Sequence, residues 1–178
     1  AYNPAMPSPA VPDRPAARRG RAVADVGEFA LIDRLARVLR TAGADGRGRA
    51  DVAVGIGDDV AVVAVEAGER LLATVDAQVE GVHFRRDLLA PADVGHRALA
   101  AGASDVAAMG GRPRHALVSL VVRPDVAVDW LEGVYRGLGA AAARWGIAVV
   151  GGNVARTDGP VVVDVTVLGT ARPDAVVG

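Results

Sequence analysis

From Gly27 onward, apolar and polar positions along the chain switch between periods of about 3.6 and 2 residues, and the switches mark out the elements. In "GEFALIDRLARVLRTAG" (27–43), Phe29, Ile32, Leu35, Val38 and Leu39 share one helical face, and Gly43 ends the run. "DVAVGIG" (51–57), "DVAVVAVE" (59–66) and "RLLATVDAQVEGVHF" (70–84) then predict strands joined by a carboxylate turn and a glycine turn. "PADVGHRALAAGASDVAAMGG" (91–111) predicts a long helix, with proline at its start and paired glycines at its end. After it come a strand "HALVSLVV", a helix "VDWLEGVYRGLGAAAARWG", a strand "IAVVGG" and a last strand "PVVVDVTVLGT". The early hairpins argue against an all-parallel sheet. The expected fold is therefore α+β: a mixed, mainly antiparallel sheet with helices packed on one face.

Residues 1–25 carry half of the ten prolines and almost no apolar period, so they are expected to form a disordered Pro-, Ala- and Arg-rich tail ahead of a folded unit over 26–178. Half of the 178 residues are hydrophobic, mostly Ala and Val, which suits strands and closely packed helices. A net charge of −1 with scattered arginines argues against nucleic acid or an anionic membrane surface as partner. All 20 basic residues are Arg. Without Lys there is no Walker-type phosphate loop and no Schiff-base chemistry. Without Cys there is no thiol catalysis and no sulfur-bound zinc, and the composition fits a reducing cytoplasm. No apolar run is long enough to span a bilayer.

The acidic residues of interest fall beside glycine or apolar neighbours. Asp58 and Asp59 occupy a turn between strands, Asp76 is near the end of a strand, Asp105 is within the long helix, and Asn153 follows paired glycines at a strand end. A buried carboxylate needs a hydrogen bond, a counter-charge or a cation. With no Lys at hand, a divalent cation is the natural partner. Magnesium takes hard oxygen ligands and keeps room for substrate phosphates. Strand alternation would aim only one of Asp58 and Asp59 at such an ion, leaving the other to brace the turn. Each piece also has a plainer reading: "GDD" as a hydrophilic turn, Asp105 as a helix-surface residue, His83 and Phe84 as a strand end. "WLEGVY" reads as a buried helix face with Trp130 and Tyr135 as its large members, and His96 and His115 read as structural or exposed. "GIGDDV" is not a dinucleotide fingerprint, because Val60 stands where the third glycine is needed.

In order and spacing, "GEFALIDRL", "GIGDDVAVV", "TVDAQVEGVHF", "ASDVAAMGGRPR", "VSLVV", "WLEGVYRGL" and "VVGGNVAR" resemble the N-terminal domain of the thiamine-monophosphate kinase family, over residues 27 to about 172. The wider superfamily includes aminoimidazole ribonucleotide synthetase, selenophosphate synthetase and HypE. The resemblance implies transfer of the γ-phosphoryl of ATP to thiamine monophosphate, giving thiamine diphosphate, with several Mg2+ ions and a homodimer. It assigns Asp58, Asp59, Thr74, Asp76, Asp105 and Asn153 to metal, Gly151, Gly152, Asn153 and Tyr135 to ATP, and His83 to substrate. Val75, Gly102 and Asn153 depart from the usual Thr, Asn and Asp. Family members also carry a second, C-terminal domain, expected to begin where this chain stops. The alternatives are another ATP-using enzyme of the superfamily, or a non-catalytic nucleotide-binding or dimerisation domain.

Overall fold

The computed structural model describes residues 20–177. The tail expected over 1–25 lies outside the described residues up to position 19. From Gly20 onward the chain is packed: Val23 is buried, its N–H donates to the Val126 carbonyl at 2.9 Å, and Val128 N–H donates to Arg21 O at 2.8 Å. The folded unit thus takes in several residues ahead of the expected boundary.

Among the described residues, three α-helices and one main sheet build the domain. Helix α1 is Glu28–Thr41, α2 is Pro91–Ala108 and α3 is Val128–Trp145. A small antiparallel pair, β1 (Val52–Val54) with β2 (Val62–Val63), stands apart from the four-stranded sheet. That sheet contains β3 (Arg70–Val79), β4 (Arg112–Val122), β5 (Ala148–Arg156) and β6 (Val162–Ala171), in the order β3-β6-β4-β5. β6 runs antiparallel to both β3 and β4, whereas β4 and β5 are parallel and joined through α3. The mixed, mainly antiparallel sheet expected from sequence is present.

Alternation sorts the sheet into two unlike faces. Val163, Val165 and Val167 of β6 and Ala116, Val118 and Leu120 of β4 are buried on the face that α2 crosses. The opposite face carries Leu71 and Val75, which are 55% and 62% exposed, with Thr166 and Leu117 in register beside Val75. α2 lies against α3 at very short range. A Cβ on Gly95 would press into the Val134 carbonyl, and one on Gly137 into the Ala92 carbonyl, so the two backbones approach as only glycine allows.

Four expectations change. In α1 the buried seam is Leu31, Leu35 and Leu39, and Phe29 is 83% exposed. Phe29 sits two residues from Leu31, about 200° around the helix, and so faces away from that seam. The strands expected over 51–57 and 59–66 shrink to three and two residues, since Gly55, Gly57 and two aspartates interrupt the extended run. The third strand stops at Val79, where the chain turns through Gly81 (φ 83°). β5 continues to Arg156, placing Asn153 inside the strand.

Asp51 and His115 join the β1 segment to the main sheet. Arg49 grips Asp51 with two charge-assisted hydrogen bonds, Nε to Oδ1 at 2.8 Å and Nη2 to Oδ2 at 2.7 Å, and also donates to the Gly146 carbonyl. The buried His115 Nε2 lies 3.2 Å from Asp51 Oδ2, off the line of a hydrogen bond. The Arg49 guanidinium holds the Asp51 carboxyl down at about 2, while burial pushes the His115 imidazole down. A carboxyl lowered on folding contributes stability that is present above its unfolded value, near 3.8, and lost as pH falls toward 2. A lowered His adds an acid loss that begins below about 6.5. Arg49→Ala is expected to cost about 2 kcal/mol at pH 7 in urea unfolding. Its difference from wild type is expected to shrink as the pH falls below 4.

Candidate active site

The residues singled out from sequence gather in two places, one at each edge of the sheet. At the β5 edge, a groove of about 400 Å3 opens between α1, the 56–59 turn and β5. Phe29 and Ile32 of α1 form an apolar wall. Gly151, Gly152 and Asn153 form the strand side, with Tyr135 of α3 also lining the groove. Gly152 is required there, because a Cβ would collide with the Val118 carbonyl of the neighbouring strand. Burial pushes the Tyr135 hydroxyl up, so it stays protonated and able to donate.

Asp58 and Asp59 both line this groove. Strand alternation would have turned one of them away. The segment is an irregular turn with only an isolated Ile56 to Asp58 bridge, so the two-residue period does not govern it. Phe29, Ile32 and Asp33 were not singled out as groove residues. The helical pattern showed that Phe29 and Ile32 were apolar, but could not show that they face a cleft and not the core.

At the β3 edge, Thr74, Asp76, Asp105 and His83 come together. Thr74 Oγ1 donates to Asp105 Oδ2 at 3.1 Å, linking β3 to α2. Asp76, two residues along the same face, has its carboxyl raised above the usual range by burial first and then by the Asp105 carboxylate beside it. Asp164 adds to the rise, and His83 opposes it. His83 Nδ1 accepts the Val79 N–H at 3.1 Å, which fixes the ring. The loop that carries His83 is braced by Arg86, which ion-pairs with Glu80 and lies 5.7 Å over the Trp130 ring, and by Phe84 stacked on the same indole.

The two groups lie on the outer strands of a four-stranded sheet, so three strand spacings, about 14 Å, separate β3 from β5. The six residues assigned to metal by resemblance therefore do not converge on one point in this chain. Among the described residues, no group of three or more His, Cys, Asp or Glu side chains forms a cage for a metal ion. The chemistry at the β3 edge still suits Mg2+. Two adjacent carboxylates and a hydroxyl are hard oxygen donors, and burial together with the neighbouring carboxylate raises the Asp76 carboxyl. Magnesium is ordinarily held by one or two carboxylates, with waters and substrate phosphates completing its shell.

Residues 57–171 match the family described as AIR synthase related protein, N-terminal domain, and the chain belongs to that family. Its relatives narrow the comparison to a particular enzyme. The chain is 40% identical to thiamine-monophosphate kinase of Bacillus subtilis (strain 168) over 118 residues, covering 66% of this chain and 36% of that protein. It is 38% identical to thiamine-monophosphate kinase of Rhodopirellula baltica over 130 residues, covering 68% and 41%. Thiamine-monophosphate kinase from Stenotrophomonas maltophilia K279a is similar in structure, with a TM-score of 0.66 and 37% identity over 83% of this chain and 43% of that one. AaThiL complexed with AMPPCP and TMP gives a TM-score of 0.58 and 35% identity over 82% and 42%. The chain thus spans about two fifths of the length of the curated relatives it matches.

Proposed function

We propose that this chain is the ATP- and magnesium-binding domain of a thiamine-monophosphate kinase, which transfers the γ-phosphoryl of ATP to thiamine monophosphate and yields thiamine diphosphate and ADP. The observation that carries the reading is the Thr74, Asp76 and Asp105 cluster: hard oxygen ligands, with a carboxyl raised by burial and by the carboxylate beside it, in a chain that has no lysine to hold phosphates. A relative of similar fold that is complexed with AMPPCP and TMP supports the choice of substrates.

Phosphoryl transfer asks the protein mainly for charge neutralisation and in-line positioning. A phosphate oxygen of thiamine monophosphate attacks the γ-phosphorus, and the bond to the β–γ bridging oxygen breaks. Bound Mg2+ would neutralise the phosphate charge that builds up. Asp76, Asp105 and Thr74 would hold it at one edge, and Asp58, Asp59 and Asn153 at the other. Gly151 and Gly152 let the nucleotide approach the backbone, Phe29 and Ile32 cover its apolar face, Tyr135 donates a hydrogen bond, and His83 meets the substrate.

The same geometry supports a homodimer. The apolar sheet face and the outer edges of β3 and β5 call for a partner, and a second copy would bring the two halves of the site together. The cysteine-free composition supports a cytoplasmic setting. A second reading, a nucleotide-binding or dimerisation domain without turnover of its own, is favoured by the separation of the two acidic groups to opposite edges of the sheet. Another ATP-using enzyme of the family is separated by substrate. With Mg-AMPPCP present, thiamine monophosphate is expected to raise the melting temperature further, and aminoimidazole-type ribonucleotides to leave it unchanged. Asp59→Ala is expected to abolish the Mg-AMPPCP shift with little change in the melting temperature of the free protein. Retained shift in that variant would remove the turn from the site.

A further inference from the structure

One arginine stands apart from the others. Arg97 of α2 donates through Nε to Gln78 Oε1 at 3.1 Å, and its Nη1 and Nη2 make no hydrogen bond among the described residues. Among the same residues, the other arginines that hydrogen-bond through the guanidinium each hold a carboxylate, as Arg49 holds Asp51, Arg86 holds Glu80 and Arg123 holds Asp125. A carboxylate partner offsets the charge of a guanidinium, whereas an amide fixes its direction and leaves the charge whole. The amide is itself held firmly, since Gln78 of β3 is only 5% exposed. α2 runs alongside β3 in the opposite sense, so that Asp105 meets Thr74 and Arg97 meets Gln78, with Asp76 between. Gln78 is two residues, about 7 Å, beyond Asp76 on the same strand face. The next residue, Val79, donates the N–H that fixes the His83 ring.

We infer that Arg97 binds the phosphate monoester of the acceptor substrate through its free Nη1 and Nη2, and that Gln78 is the positioning residue that aims it. The inference rests on the kinase reading above and adds to it the group that recognises the acceptor's phosphate. A phosphate monoester carries a charge of about −2 at pH 7, and the Asp76 and Asp105 carboxylates repel it. Arg97 is the cation that this chain places at the other end of their row, roughly 12 Å from Asp105 along α2. Its planar fork matches two phosphate oxygens at once, and His83 stands at the same end of β3. An acceptor without its phosphate would leave this guanidinium unused. Arg97 therefore sets a preference for the phosphorylated acceptor over the same molecule without the phosphate.

The test is calorimetric titration of the intact chain, in the presence of Mg-AMPPCP, with thiamine monophosphate and with thiamine, which lacks the phosphate. Wild type is expected to prefer the phosphate ester. Arg97→Gln is expected to weaken binding of the ester about 30-fold and to leave thiamine unchanged, so that the preference collapses. Arg97→Lys keeps the charge without the fork and is expected to recover part of the loss. Gln78→Leu removes the anchor at similar volume and is expected to weaken the ester about threefold, again without effect on thiamine. Thiamine affinity is the readout that a merely structural role would move. An Arg97→Gln chain that keeps the wild-type preference, or that loses affinity for Mg-AMPPCP instead, would overturn the assignment and leave the kinase reading standing. A wild-type chain that binds both acceptors equally would overturn the assignment too, and one that binds neither would overturn the kinase reading with it.

Discussion

Asp76→Asn is expected to weaken Mg-dependent AMPPCP binding about 100-fold, equivalent to about 2.7 kcal/mol, while making the free protein more stable. The two effects have one cause. Asp76 lies beside Asp105 in a partly buried setting, which raises its carboxyl above the ordinary value. A carboxyl raised on folding favours the native state while protonated and costs stability once pH rises through the raised value. At pH 7 Asp76 is therefore a charge that costs the fold stability, as the proposed ligand-binding role requires. The amide keeps the shape and removes the repulsion, and a gain of about 1 kcal/mol in urea unfolding is expected. The gain is expected to vanish at pH 3.5, where the unfolded carboxyl, near 3.8, is itself largely protonated. An Asp76→Asn protein that is less stable at pH 7 and binds as well as wild type would show that the cluster is structural.

The second large effect concerns packing. Gly95→Ala and Gly137→Ala are each expected to destabilise the domain by about 3 kcal/mol or more, because the added methyl would enter the facing helix's carbonyl. No rotamer relieves a Cβ contact, so the helices must part. α2 carries Asp105 toward Thr74, and its separation from α3 would also move that aspartate. Thermal unfolding followed by circular dichroism measures the loss. Gly146→Ala, at a helix end with open space around it, is expected to cost clearly less, through its left-handed backbone alone.

How far this was readable in the sequence depended on whether the deciding contacts were local. α2 and α3 announced themselves through proline at the start of one and glycine just past the end of each, together with sustained helical spacing. Thr74 and Asp76 share a face because a strand alternates, and the motif "TVD" carries that information by itself. What was misread turned on partners distant in the chain. Phe29 fits a helical apolar face on spacing alone, but Leu31, not Phe29, is buried, since only the packing of α1 decides which side is inward. Asp58 and Asp59 were expected on opposite faces, and the glycines around them dissolve the strand that would have parted them. Asn153 was placed after β5 because glycine pairs usually end strands, but parallel pairing with β4 carries β5 three residues past it, to Arg156. The separation of the two half-sites was not visible at all. It follows from the order β3-β6-β4-β5, which is set by long-range pairing and leaves no local signature.

On the proposed function, this lysine-free domain holds nucleotide phosphates through a divalent cation on its aspartates. Calorimetric titration of the wild-type chain with AMPPCP, in buffer with Mg2+ and again after chelation, tests it most directly. Saturable binding that requires Mg2+, and that is lost in both Asp59→Ala and Asp105→Ala, is the expected result. Binding of equal strength without the cation, or none in its presence, would contradict it.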